Sequence, residues 1–255
     1  MVTTRHVTFG VLRALAPLRL DGTVRAAHYQ RKDPGLRWRV ASGDAPAVRA
    51  ALAPLLDRLC TRGQGLDGWA ETIYEPEAPL FGGSRAMAVA HALFDADTQA
   101  WSRLTALRRR GHLPYTEAAL ALAQGNELFS HALGGRPDEV WDTWSRLAVF
   151  HDLRPTQGGD PRRSRPLLGG LAAHPQAGEA SEVLQQLADA QVRAAGDLAL
   201  LAAHGQLEQG LRDVLAALAL FAWNRVGLTT FERRHVLVQA MGAWHPHVEP
   251  IARAA

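Results

Sequence analysis

Apolar and polar positions change rhythm once along this chain, at about residue 84. Before that point the periods are mostly short. The run His6-Val7-Thr8-Phe9-Gly10-Val11-Leu12 is rich in β-branched and aromatic side chains and predicts a strand over 6–15. Pro17 and the Asp21-Gly22 turn end it, and Ala27-His28-Tyr29-Gln30 follows. Lys32-Asp33-Pro34-Gly35 is a strong turn signal. Leu36-Arg37-Trp38-Arg39-Val40 then alternates apolar with basic residues, the pattern of a half-exposed strand with Arg37 and Arg39 on one face. Residues 45–60 have the helical period. Thr72-Ile73-Tyr74 predicts one more strand, closed by Glu75-Pro76-Glu77.

From Ser84 onward the helical period dominates, with helices expected over 84–94, 97–110, 115–133, 137–152, 178–204, 206–225 and 230–243. Asp97 and Thr116 are placed as N-caps, and Asp138 and Glu139 suit the positive end of their helix. A stretch over about 154–176, rich in Pro, Gly and Arg, predicts a basic loop between helices that need one another as partners. Strands early and helices late imply an α+β fold, a small mixed sheet packed against a helix-rich majority, in one domain over 1–255.

Composition removes several classes. Hydrophobic residues at 47 % and charged residues at 21 % suit a globular chain with a substantial core. A net charge of +3 is too small for a dedicated nucleic-acid binder. No apolar run is long enough to span a membrane, and the arginines within the first twenty residues speak against a signal peptide. The single Cys60 cannot close an internal disulfide, which points to a cytoplasmic protein, and its apolar helical setting reads as a buried thiol.

Nucleotide-binding glycine motifs, a nucleophile elbow and a His-Glu-x-x-His helix are all missing, so no cofactor and no metal are expected. His245-Pro246-His247 offers too few ligands for a metal. Three segments stand out together. One is Tyr74-Glu75-Pro76-Glu77 running into Phe81-Gly82-Gly83, Met87, Leu93-Phe94 and Asp97-Thr98. The others are Asp33-Pro34-Gly35-Leu36-Arg37-Trp38-Arg39-Val40 and Phe221-Ala222-Trp223-Asn224-Arg225-Val226-Gly227-Leu228. Their order and spacing over about 5–245 resemble the C-terminal, or elimination, domain of lantibiotic dehydratases, also met alone as the thiopeptide-type bacteriocin biosynthesis domain. That family carries Tyr-x-Pro-Glu-x-x-Arg-Tyr-Gly-Gly, an Asp-Pro-x-x-His-Leu-Arg-x-Arg strand and a late Asn-Arg-x-x-Gly element.

The departures from that pattern point further. Leu80 stands where the family has the arginine before the glycine pair, Phe81 replaces tyrosine, and the histidine before Asn-Arg is lost at or near Leu220. Elimination of glutamate relies on such cationic and proton-transferring groups. The resemblance therefore implies the sister group that lost them, the pyridine synthases of thiopeptide biosynthesis. These join two dehydroalanines of a precursor peptide in a formal 4+2 cycloaddition, with loss of water and leader peptide. The implied partners are a precursor with a leader and an azole-containing core, and other enzymes of the pathway. Two alternatives stay open: a stand-alone glutamate-eliminating subunit using Arg85 or His91, and a non-catalytic leader-binding subunit.

Within that resemblance the candidate catalytic residues are His235, Thr229, Glu77 and Tyr74. Imidazole is the side chain suited to both giving and taking protons, which makes His235 a candidate; the alternative is a surface or core histidine on an arginine-flanked helix. Thr229 opens a Thr-x-x-Glu capping box, which by itself accounts for it. Glu77 either transfers protons or pairs with Arg37 or Arg39. Trp223, Asn224, Arg225, Arg37, Arg39 and Phe81 are the candidate substrate contacts: Trp223 either stacks on thiazoles or packs in the core, and Asn224 and Arg225 hold the Gly227 turn. Arg108, Arg109 and Arg110 with Arg162, Arg163 and Arg165 either grip an acidic leader or are solvated faces.

Overall fold

In the computed structural model, which describes residues 4–32, 35–61, 66–153 and 164–246, the first secondary-structure element is a helix, α1 (Thr4–Leu20). Its Val7, Val11 and Leu15 fall four residues apart and are buried, so the β-branched run expected as a strand is a helical stripe instead. Packing overrides propensity here: the stripe shares a core with Val24, Ala27 and Leu59. Those partners come from a hairpin, β1 (Val24–Lys32) and β2 (Gly35–Ser42), and from α2 (Ala45–Thr61). The strands pair antiparallel with Tyr29 opposite Trp38 and His28 opposite Arg39. Asp33 and Pro34 lie outside the described residues. Cys60 is only half-buried on α2.

The second core is helical and larger. It is built by α3 (Ser84–Arg109), α4 (Glu117–Ala132), α5 (Pro137–Val149), α6 (Leu168–Ala173), α7 (Ser181–Ala203), α8 (Leu211–Val226) and α9 (Thr230–Trp244). Thr116 caps α4 by accepting from the Ala119 N–H at 3.1 Å, and Thr229 caps α9 in a full capping box with Glu232. Asp97 caps nothing. The two helices expected over 84–110 are one, and Asp97 lies in its middle, fully buried. An aspartate before an apolar run looks like a cap in sequence, but here its partner is an arginine far along the chain.

Part of the expected loop is helical, as α6. Leu168 and Ala172 of α6 are buried, and the Tyr115 hydroxyl donates to the Leu171 carbonyl at 3.0 Å. Residues 154–163, with Arg162 and Arg163, lie outside the described residues. Residues 71–77 pair with no strand among the described residues; Ile73 is 92 % exposed there.

Gly125 of α4 lets two helices touch. A Cβ at this position would lie 2.4 Å from Cη2 of Trp144, whose buried ring is held between Phe129 and Trp223. The ring has nowhere to go, so Gly125→Ala is expected to destabilise by about 1–3 kcal/mol despite alanine's better helix propensity. A lowered urea midpoint at unchanged slope is the readout.

Candidate active site

The outer edge of β1 meets side chains rather than a third strand. Asp95 of α3 accepts from the Ala27 N–H at 2.8 Å and pairs with Arg19 of α1. Asn224 of α8 accepts from the Arg31 N–H and donates to the Arg31 carbonyl, both at 2.8 Å, a pairing that mimics a ladder. The Arg225 carbonyl accepts from the Tyr29 hydroxyl at 2.9 Å and from Arg31 Nε at 3.2 Å. The Arg225 guanidinium points the other way, into the core, where Nε donates to Asp97 at 2.5 Å; both side chains are at most 1 % exposed. Gln124 donates to the second Asp97 oxygen at 2.7 Å. Asn224 and Arg225 thus lash the hairpin to the helical body.

This docking brings β1 and β2 over α3 and the segment 71–77. Tyr74, half-exposed, places its hydroxyl 2.8 Å from Nε2 of His91 on α3. Beneath them His28 of β1 is buried, with ring centroids 5.5 Å from His91, 6.2 Å from Tyr74 and 5.3 Å from Phe94. Arg39 of β2 lies over the Tyr74 ring, 4.6 Å from its centroid, and the charge of Glu77 acts on both. Phe94 stacks on Phe221 at 5.8 Å, and Phe81 meets both edge-on at 5.4 and 4.9 Å. Arg225 covers Phe94 at 4.4 Å, tying the floor to the buried ion pair.

The Gly82-Gly83 turn sets the depth of this arrangement. Gly83 has φ 100° and ψ 177°, a conformation closed to other residues, and a Cβ there would meet Glu208 at 2.6 Å. Phe81 is turned fully inward as a result, while neighbouring Leu80 is 44 % exposed.

Burial drives the electrostatics. Desolvation, with Arg225, His91 and Arg39 nearby, pushes His28 down to about 3. Desolvation and then Arg39 lower His91 from its ordinary value. Burial raises the Tyr74 phenol, and Glu77 adds to this while Arg39 opposes it. Desolvation likewise draws Arg39 down from its usual value. At neutral pH the site therefore holds two uncharged imidazoles and a protonated phenol. We assign the shared proton to the phenol, donating to Nε2 of His91, because both shifts favour the neutral forms.

One consequence concerns stability. His28 binds a proton more weakly folded than unfolded, so the unfolded chain takes up the extra proton between about pH 6.5 and pH 3. Stability rises with pH across that window and is lost as pH falls below about 6.5. Urea midpoints at about pH 7 and about pH 5 should separate more in the parent than in His28→Phe.

The structure gathers Tyr74, Glu77 and Arg39 at one surface with Phe81 behind them. Arg37 is exposed on β2. Trp223 is 1 % exposed and packs on Trp144 and His151, so its ring faces the core. Thr229 and His235 sit on the exposed start of α9, and no hydrogen bond or ring contact links them to Tyr74 or His91 among the described residues. Arg108 is engaged by the Tyr115 carbonyl and Glu117, and Arg110 by Glu179. Arg109 is exposed. Arg165 donates to the Ala243 carbonyl at 2.7 Å and covers Trp244. His245 packs against Trp141, and His247 lies outside the described residues. Sequence reasoning missed His28 and left His91 to an alternative; the nearest signal was His28 beside Tyr29, opposite the Arg-x-Arg strand.

Among the described residues no group of three or more His, Cys, Asp or Glu could hold a metal, and no helix is long and apolar enough to cross a membrane. Comparison with solved structures gives a TM-score of 0.65 and 19 % identity to the tRNA dependent lantibiotic dehydratase MibB from Microbispora sp. 107891, over 94 % of this chain and 26 % of MibB. The chain thus spans about a quarter of that enzyme's length. The crystal structure of TsrL matches with a TM-score of 0.56 and 15 % identity, over 93 % of this chain and 91 % of TsrL. No curated protein matches. The family described as lantibiotic biosynthesis dehydratase C-term matches residues 3–242, nearly the whole chain. A mostly helical α+β fold and this match together place the chain in the lantibiotic dehydratase C-terminal family.

Proposed function

We propose that this chain is a cofactor-independent cyclase of a ribosomally made peptide antibiotic, joining two dehydroalanines of a precursor into a six-membered nitrogen ring. The observation that carries this reading is the makeup of the site: an uncharged phenol–imidazole pair, Tyr74 and His91, above a floor of aromatic rings. By the family resemblance, Leu80 and a position at or near Leu220 stand where an eliminating site would place a cation and a proton-transferring histidine. Arg225 is consumed by Asp97.

The chemistry balances without an oxidant. One dehydroalanine and the amide beside it, as its iminol tautomer, supply four atoms. The other dehydroalanine supplies two. Two new carbon–carbon bonds close the ring, the iminol oxygen leaves as water, and loss of the leader as its amide makes the ring aromatic. Orientation of two distant alkenes supplies up to roughly 7–11 kcal/mol. Tyr74 and His91 transfer protons for tautomerisation and for the two departures, with Arg39 and Glu77 polarising them. Thr229 and His235 at the start of α9 are the second pair assigned to the substrate, and Arg109 with its neighbours to an acidic leader.

Glutamate elimination is the second reading, because His91 beside Arg39 offers a base and a cation at one place. One assay separates the two. The purified chain is incubated with a leader-bearing precursor containing azoles and two dehydroalanines, without metal, nucleotide or tRNA, and followed by mass spectrometry. A leader amide and a macrocycle lighter by leader and water are expected. Loss of glutamate from a glutamylated precursor, with the first peptide unchanged, would establish elimination. Inertness towards both would leave a binding subunit.

A further inference from the structure

Four helices meet beside the buried Asp97–Arg225 pair, and the polar groups they bring there do not all satisfy one another. Gln191 of α7 is 1 % exposed, yet neither its Oε1 nor its Nε2 has a hydrogen-bond partner among the described residues. Gln124 of α4 donates through Nε2 to Asp97 and leaves its Oε1 unpaired. Arg225 of α8 donates through Nε to the same carboxylate and leaves Nη1 unpaired. All three side chains line one cavity of about 10 Å³, whose other walls include Leu93, Leu128 and Trp223. Every residue of the lining is buried. Interiors rarely leave such groups unpaired; they are matched by protein or by ordered water, and a cavity of this size admits about one water.

We infer that this cavity is a binding site for a single internal water molecule, held by Arg225 Nη1, Gln124 Oε1 and the amide of Gln191. Volume limits the ligand to something of water's size, and the pattern of donors and acceptors selects among such ligands. Arg225 can only donate, and the Gln124 oxygen can only accept. A water accepts from the first and donates to the second. A halide would face the Gln124 oxygen, and would add a negative charge where Asp97 already balances Arg225. A sodium or ammonium ion would face the guanidinium. The Gln191 amide offers the water either end, so it supplies a third bond in both orientations. Three polar partners are what internal waters ordinarily have. The molecule is enclosed and brings no bulk solvent to the ion pair. It ties α7 into the polar knot beneath Phe94, the ring that Arg225 covers.

The test pairs a crystal structure of the full chain, at a resolution that shows ordered water and from crystals grown in sodium bromide, with melting temperatures of two variants. A density peak without anomalous signal is expected roughly 2.7–3.2 Å from Arg225 Nη1, Gln124 Oε1 and one end of the Gln191 amide. Gln191→Met keeps the unbranched shape and takes away the third partner of the water, so its melting temperature should fall by about 2–6 °C. A dry cavity predicts the opposite sign, because the same change would then remove two unpaired polar atoms from an apolar setting. Gln185→Met, an exposed change on the same helix, should melt like the parent. A cavity without density, a bromide peak in it, or a Gln191 amide bonded directly to Arg225 or Gln124 would overturn the inference. So would a melting temperature that holds or rises in Gln191→Met. Neither readout needs turnover, so both are scored even where the cyclisation assay is silent.

Discussion

Asp97→Ala is expected to lower the unfolding free energy by about 3–5 kcal/mol, as removal of one partner from a buried ion pair does. The reason lies in what is left behind. Arg225 is 1 % exposed, so without Asp97 its guanidinium would stay buried with no carboxylate beside it. Its Nη1 already has no hydrogen-bond partner among the described residues, and the amide of Gln124 would lose its acceptor as well. Asp97→Asn keeps the shape and one acceptor while removing the charge, and should fall between alanine and the parent. The double variant Asp97→Leu with Arg225→Met removes both charges, and should recover most of what either single change loses. Urea midpoints for the four proteins check the ordering. A loss below about 1 kcal/mol for Asp97→Ala would mean that water reaches this pair. Because Arg225 covers Phe94, and Phe94 supports His28, the same variant should also lower activity without touching the reacting groups.

That ion pair also shows where reading the sequence stops. Caps are local, so Thr116 and the Thr229–Glu232 box were legible from spacing alone, as was the left-handed Gly227 that ends α8. Asp97 was equally visible, but as a cap, because nothing nearby in sequence discloses that Arg225 is its partner. The run from Val7 to Val11 has strand propensity and becomes a helix because its four-residue spacing finds Leu59 and Ala27 to pack against. Thr72-Ile73-Tyr74 has a strand's pattern and no neighbour to pair with among the described residues. The site follows the same rule. Tyr74, Glu77 and Arg39 were named from motifs, and the Asn224-Arg225 motif was expected to hold the Gly227 turn, which backbone bonds to the Trp223 carbonyl close instead. That this motif fastens a hairpin through the Arg31 backbone required the tertiary structure. His28, Phe94 and Phe221 come from three elements and meet only once that hairpin docks.

His91→Ala and Tyr74→Phe should each reduce turnover about 10²–10⁴-fold, the range for loss of a positioned proton-transfer group, with little change in KM. The two groups share one proton across 2.8 Å, so their effects should not add: the double variant is expected to be no worse than about ten-fold below the poorer single. Additive losses would mean that they act separately. Neither change strips a deeply buried partner, since Tyr74 and His91 are only partly covered, and folding should survive both. The pH profile gives an independent readout. His91 works uncharged, and desolvation with Arg39 beside it lowers its pKa. Activity should therefore stay level as pH falls from about 8 to the ordinary imidazole value near 6.5, and drop only below it, where His91 takes up a proton. Arg39→Gln removes the cation that helps to hold His91 neutral, so the acidic limb should move upward in pH. Glu77→Gln removes a charge that raises the Tyr74 phenol, so the alkaline limb should move downward. Opposite shifts at the two ends, from variants that leave Tyr74 and His91 in place, would identify the phenol and the imidazole as the groups whose protons the reaction uses.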